Sequence, residues 1–371
     1  MRLWSIPLLG LSLTSLALAQ STWTGNGSGN WPDSTDWSGS VPNGVNSVAN
    51  FTSSASNTFV YVNSPETVGT VNIASGPYTY LFQGSSSLTL ATSSGQAQLN
   101  NTAGNNIILS PVSLGNNSTI SVATNTSLTL SDNFSSQGLT VTKTGSGTLS
   151  VPYIKSNTLD DNQGNVQILS SGSNSDVSVV HSLSLASGAS LDLTNNSLIV
   201  DYATTDPLST ITGEVASAYD GGKWDLPGIK SSAASIAQGT TLAVGDSPSL
   251  GMLTYAGQPV SNAVIVKYTW YGDANMDGVV NASDLTFMQN EQAAGATGWM
   301  AGDFNYDGKI NGDDYALFML GEARQNGSLS GTTTAPEPSV LGLTALSLLA
   351  IRRKRKHKSL SRRLPATASS L

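Results

Sequence analysis

The residues with the clearest capacity for chemistry lie between Asp273 and Asp314. There the chain reads GDANMDGVVNASD and, thirty residues on, GDFNYDGKINGDD. Oxygen-bearing side chains recur at positions 1, 3, 5, 9 and 12 of both runs: Asp273, Asn275, Asp277, Asn281 and Asp284, then Asp303, Asn305, Asp307, Asn311 and Asp314. Position 7 offers a main-chain carbonyl, so Val279 and Lys309 can differ freely. Position 6 is glycine in both, Gly278 and Gly308, where such a loop must turn sharply. A hard divalent cation such as calcium takes roughly six to eight oxygens at about 2.3–2.6 Å, several of them anionic, and each run offers that set. A single D-x-N-x-D-G run is also what an ordinary Asx-turn looks like. Two in phase, with the same glycine and an apolar position 8 (Val280, Ile310), point to paired metal loops standing back to back.

Each loop runs on into a short helical pattern, Leu285 and Met288 in the first copy, Tyr315, Phe318 and Met319 in the second. No amphipathic helix precedes either loop, so each is half an EF-hand. Loop then helix, doubled and closed by Asp rather than Glu at position 12, resembles a type I dockerin over residues 272–323. That resemblance implies two calcium ions and a cohesin-type protein partner. The helix-start pairs that would meet a cohesin, Ala282-Ser283 and Gly312-Asp313, differ between copies, a departure from the symmetric dual binding of the family.

The elements that position these loops must be mainly β. Only 11% of the 371 residues are charged and cysteine is absent, so a secreted chain of this kind relies on ladder hydrogen bonds and packing rather than disulfides. From Thr58 to Tyr202 short alternating runs recur: TFVYV, YTYLF, SLTLA, NIILS, TISVA, SLTLS, LTVTK, TLSV, VQIL, SLSLA, SLDL and SLIVDY, separated by Ser, Gly, Asn and Asp clusters. Strands this short, with one turn cluster per rung, fit a solenoid coil whose apolar faces stack. A β-sandwich gives the same alternation and is the alternative. The stretch KTGSGTLSV (143–151) resembles the autotransporter-associated repeat, which implies a right-handed parallel β-helix.

Composition also narrows the partners. Eight of 16 basic residues lie between Arg352 and Arg363; without them, Arg2 and Glu337, seven basic residues face 23 acidic ones, a net charge of about −16. No basic stripe is left to displace counterions from nucleic acid, so nucleic-acid binding is excluded. Catalytic constellations are scarce. Asp160-Asp161 is the sole adjacent acidic pair in the repeats, with no His or Arg beside it to complete a polysaccharide-cleaving site, and it reads as a turn. His181 and His357 are the only histidines, and no G-x-S-x-G supports a triad. Residues 20–55 carry Trp23, Trp31 and Trp37 among glycines and asparagines; they read as an aromatic cap on the β stack, with a sugar-binding platform as the alternative. This segment resembles the N-terminal motif of autotransporter-associated β-strand proteins.

The two ends read as targeting segments. Residues 1–19 are a secretory signal peptide ending at Ala17-Leu18-Ala19. After a closing β segment (203–262) and the paired loops (263–325) comes a linker, 326–335, then Pro336-Glu337-Pro338-Ser339, an apolar run and a basic cluster, with a basic tail at 359–371. The order within 336–358 resembles a PEP-CTERM sorting signal and implies an exosortase-like membrane enzyme as partner. With Gly221-Gly222-Lys223-Trp224 upstream and the Lys267–Asp273 junction, the whole chain resembles planctomycete-type bacterial surface proteins. The expectation is therefore an exported, surface-sorted, non-enzymatic β-solenoid with a small α dockerin-like calcium module and a C-terminal hydrophobic anchor. Two others stand beside it: a dockerin-bearing component of a polysaccharide-degrading assembly, and a carbohydrate-active β-helix enzyme acting on extracellular polysaccharide.

Overall fold

A computed structural model describes residues 20–326 and 329, apart from residues 26, 53, 131 and 132. The signal peptide, nearly all of the linker, the sorting signal and the basic tail expected from the sequence lie outside the described residues. All twelve alternating runs become strands, and they pair in parallel with the next turn rather than with the next strand in sequence. This removes the sandwich: the chain is a β-solenoid of about seven turns. Two sheets run along it, one of nine strands from Ser28–Asn30 to Gly228–Lys230, the other of 14. A short third face, built from Glu66–Val68, Leu88–Leu90 and Val112–Leu114, merges into the larger sheet through the bulged 11-residue strand Phe134–Thr144.

Strand alternation sends every second side chain inward, and parallel register then stacks like on like. Val60, Phe82, Ile108 and Leu130 occupy matching positions on successive turns and are buried. Ala49, Val71, Leu99 and Ile120 form a second buried column. On the outside of the same sheet an asparagine ladder forms, Asn72 donating to Asn50 at 2.8 Å and Asn100 to Asn72 at 2.9 Å. At the position after Ile120 the apolar column gives way to Lys143 and then Asp161, both buried.

The ends of the stack are closed differently. At the amino end Trp23, Trp31 and Trp37 pack on Phe51, which in turn meets Tyr80 and Phe82 at 5.4 and 4.8 Å. The tryptophans are at most 5% exposed, so they form the expected cap and not a displayed platform. At the carboxyl end Leu198–Asp201 pairs antiparallel with Ala263–Trp270, and that strand with Thr240–Asp246. The segment read as closing β is partly helical: helix α1 (Leu208–Tyr219) buries Ile211, Val215, Ala218 and Tyr219, one face at helical spacing. A single turn, α2 (Ser247–Leu250), follows, capped by Asp246 and terminated by Gly251. Trp224 is buried against Tyr219, with ring centroids 5.2 Å apart.

The Phe51–Phe82 contact joins the aromatic cap to the first aliphatic column. Replacing Phe82 by Ala is expected to cost about 3–5 kcal/mol, read as a lower denaturant midpoint by tryptophan fluorescence; a change within 1 kcal/mol would contradict a close-packed column there.

Candidate metal centre

The first loop leaves the solenoid directly. Ala263–Trp270 is hydrogen-bonded on both sides, and the loop begins three residues after it ends. The loop ends where helix α3 (Ala282–Ala293) starts; the second loop ends at helix α4 (Gly312–Arg324). Both loops fold by one hydrogen-bond scheme. The Gly278 amide donates to Asp273 Oδ2 at 3.0 Å, and the Gly308 amide to Asp303 Oδ2 at 3.1 Å. Asn275 Oδ1 accepts from the Asp277 amide and Asn305 Oδ1 from the Asp307 amide, each at 2.9 Å. Asp277 and Asp307 then accept from the amides of Val279 and Lys309. Such repetition needs left-handed backbone at two points per loop, which Met276 and Gly278 supply in one (φ 59° and 91°) and Tyr306 and Gly308 in the other (φ 59° and 78°).

Position 12 does two things. Asp284 and Asp314 sit at the third residue of their helices and accept from the amides of Asn281 and Asn311, each at 2.9 Å, closing a capping box in both copies. Their other oxygens reach back to position 3, Asp284 Oδ1 to the Asn275 amide and Asp314 Oδ1 to the amides of Phe304 and Asn305. Carboxylates thus gather in both loops, and among the described residues no ion pair involves those of the second. Burial pushes Asp284 up to about 8, with Asp273 adding to the effect. Burial likewise raises Asp303, and it raises Asp273 against the opposing pull of Lys267 and Thr269.

Whether calcium fits is judged from the donors. All side-chain donors at positions 1, 3, 5, 9 and 12 are oxygens or offer one, and Asp273 Oδ1 is fully buried with no hydrogen-bond partner. An orphaned anionic oxygen inside a protein is costly, and a cation resolves that cost. The residues fit the ion by type and by loop conformation. Ligating distances are another matter: among the described residues no group of three or more Asp, Glu, His or Cys side chains closes far enough to hold a metal. At position 8, the amide and carbonyl of Val280 are both taken by the side chain of Gln325, at 2.7 and 2.6 Å.

Several neighbours of the site were not singled out as such by sequence. Lys267, fully buried, donates to Asp273 Oδ2 at 3.2 Å and to the Met276 carbonyl at 2.8 Å. The Thr269 hydroxyl donates to the same carboxylate oxygen. The Trp299 indole N–H donates to the Asp273 carbonyl at 2.9 Å, and the Tyr306 hydroxyl to the Leu242 carbonyl at 2.7 Å. The one charge in the strand AVIVKYTW is the available signal, since a charge on a buried face demands a partner nearby. Of the helical residues expected to pack, Met288 and Phe318 are buried, while Tyr315 (44%) and Met319 (67%) project outward one turn apart on α4. Gly321 rests on the solenoid so closely that a Cβ would lie 1.8 Å from the Tyr271 carbonyl oxygen.

The acidic pair in the repeats is divided by the strand. Asp160 faces outward and Asp161 inward, where its Oδ2 has no partner and burial pushes the carboxyl up to about 7. A cleft of about 480 Å³ between the 185–189 turn and α1 has Glu214 as the sole carboxylate in its lining.

With that geometry in place, residues 271–319 match the family model for the dockerin type I domain. The match covers both loops and reaches into α4. Neither the curated proteins nor the solved structures contain a match to the chain. The molecule is therefore a β-solenoid whose last described strand leads into a segment similar to the dockerin type I domain.

A sign follows for pH. Asp161 and Asp284 both have folded-state values raised above the ordinary 3.8, so the native state holds protons that the unfolded chain has released. Their contribution is complete below about pH 4 and is lost as pH rises toward 8. Melting temperature in chelator is expected to fall across that window, and saturating calcium is expected to flatten the part due to Asp284. A calcium-free melting temperature that rises from pH 5 to pH 8 would contradict this assignment.

Proposed function

We propose that this is an exported, surface-sorted and non-enzymatic β-solenoid protein whose dockerin domain binds two calcium ions, for rigidity and for docking. The observation that carries it is the doubled loop, built twice by one hydrogen-bond scheme and seated on the end of the solenoid. Asp273, Asn275, Asp277, Asn281 and Asp284, with the Val279 carbonyl, would hold one ion; Asp303, Asn305, Asp307, Asn311 and Asp314, with the Lys309 carbonyl, the other. Calcium supplies charge to offset the gathered carboxylates, and where a site is incomplete without its ion, binding free energy is folding free energy. The non-enzymatic reading is supported by the split of Asp160 from Asp161 across the strand and by the single carboxylate of the Glu214 cleft, since glycosidic cleavage works with two. Export and an exosortase-like sorting partner rest on the signal-peptide and PEP-CTERM resemblances. Among the described residues no helix is long and apolar enough to cross a membrane.

A second reading is favoured by the exposed Tyr315 and Met319 on α4, an apolar pair of the kind a protein partner covers. On it the chain is a component of a polysaccharide-degrading assembly and its dockerin domain binds a cohesin. The unlike helix starts, Ala282-Ser283 and Gly312-Asp313, then allow one binding orientation, not two. The carbohydrate-active reading would need Asp161, and activity on a pectin- or alginate-like polymer that Asp161→Asn abolishes would restore it.

Two measurements test the main proposal. In full-length protein, Asp277→Ala and Asp307→Ala are each expected to abolish calcium-dependent protection of their own half against proteolysis, with the solenoid unchanged. Equal protease resistance in calcium and in chelator would remove the calcium reading. Capture by a cohesin module in calcium, lost in Met319→Asp, would select the second reading.

A further inference from the structure

The two loops share a fold but not surroundings, and the difference is a charge. Strand Ala263–Trp270 is held on both edges, so the residues it presents to the first loop are fixed before that loop begins. Alternation puts Lys267 and Thr269 on one face, and both reach Asp273 Oδ2; the Gly278 amide completes three donors on that oxygen. Lys267 also holds the Met276 carbonyl at 2.8 Å, and the Trp299 indole holds the Asp273 carbonyl at 2.9 Å. The second loop has a different set of bonds at its first position. Asp303 accepts the amides of Asp307 and Gly308, both from within the loop, at 3.1 Å each. Among the described residues no ion pair involves Asp303, Asp307 or Asp314. The basic residue of that loop, Lys309, is exposed and screened by solvent.

We propose that Lys267 is a built-in cation that keeps the first loop largely folded without calcium and weakens that loop's affinity for the ion, so the second loop fills first and depends the more strongly of the two on calcium to fold. The inference rests on the calcium reading above. Its physics is a trade between two effects. An ammonium buried against the position-1 carboxylate supplies part of the compensation an ion would give, and it repels a divalent ion brought to the same carboxylate. Asp273 Oδ1 is left unpartnered, which keeps a ligand available at the first site. The second loop has carboxylates without an ammonium, so its metal-free form carries the larger strain and its metal-bound form the larger gain.

The test uses the full chain. Hydrogen exchange in chelator is expected to show the Gly278 and Val279 amides protected and the Gly308 and Lys309 amides exchanging at least tenfold faster; calcium should slow the second pair most. Calcium titration should resolve two steps at least tenfold apart, with Asp307→Ala abolishing the tighter and Asp277→Ala the weaker. Lys267→Met should tighten the weaker step while lowering the metal-free melting temperature, and Lys267→Arg should restore both toward wild type. A purely structural lysine would move affinity and melting temperature in the same direction. Should Lys267→Met fail to fold, exchange and titration of the wild type decide the matter. Two equal affinities with equal exchange would overturn this inference and leave the calcium reading standing; no calcium uptake at all would remove both.

Discussion

Everything at the carboxyl end depends on one strand being paired twice. Ala263–Trp270 runs antiparallel to Leu198–Asp201 on one side and to Thr240–Asp246 on the other, and it is the only route from the solenoid into the first loop. A strand so held cannot shift register without turning its inward residues outward. Its side chains therefore act as fixed points: Val264 and Val266 belong to the core, while Lys267 and Thr269 reach into the loop. The dockerin-like segment inherits its placement from this strand. Phe318 and Gly321 of α4 then close on Tyr271 and Gly272, at distances where an added Cβ at either glycine would collide.

Among the described residues a buried lysine stands beside a buried aspartate at two places along the axis, with different degrees of completion. In the solenoid, Lys143 stands where the apolar column would continue, and its ammonium is satisfied by the carbonyls of Gly145 and Gln163 at 2.7 and 2.8 Å. Its register partner Asp161 keeps one oxygen without a hydrogen bond, and desolvation outweighs the attraction of the lysine there. At the first loop, Lys267 touches Asp273 directly and takes a main-chain carbonyl as well, yet again one carboxylate oxygen is left over. Removing either lysine would expose the full desolvation cost of its aspartate, so such pairs fix geometry more than they add stability. The orphan at the loop differs from that in the solenoid in having a whole set of further oxygens close in sequence.

How much of this could be read from the residues depends on which contacts are local. Alternation marked twelve strands from Thr58 to Tyr202 because apolar residues recur at every second position; it missed Ala97–Ala103 and Lys155–Asp161, whose faces mix Asn, Gln, Lys and Asp with isolated leucines, and the short strands Glu66–Val68, Thr70–Ala74 and Val112–Leu114. Helix α1 was passed over as β, although Ile211, Val215 and Ala218 recur at helical spacing; the Thr and Gly residues between them are poor helix formers and masked it. The loops were legible because their bonding is almost wholly within twelve residues. Lys267, Trp299 and Tyr306 reach them through tertiary structure, and only the oddity of a lysine in a buried strand hinted at that. Gln325 took the main chain of Val280 from 45 residues away, which no spacing rule within the repeat could anticipate.

A solenoid has two open ends, and each exposes strand edges that invite another chain. The amino end is closed by rings: three tryptophans on Phe51, an arrangement indifferent to ions. At the carboxyl end the outermost strand is Thr240–Asp246, every residue of it buried. Helices α1 and α2 pack on it, and the two loops and the segment between them supply the rest: the Tyr306 hydroxyl on the Leu242 carbonyl, and Met276 and Met300 beside Leu250 against Gly245. Tyr306 is itself a second-loop residue at a left-handed position, so its ring lies on the strand only while that loop keeps its turn. On the proposed calcium reading, the Tyr306 part of this closure follows the ion through the second loop, whereas the first loop stays anchored to the sheet. The hydroxyl contact on the sheet and the filling of a metal site are then linked, because Tyr306, one of the residues that cover the strand, is part of the turn that the metal would stabilise.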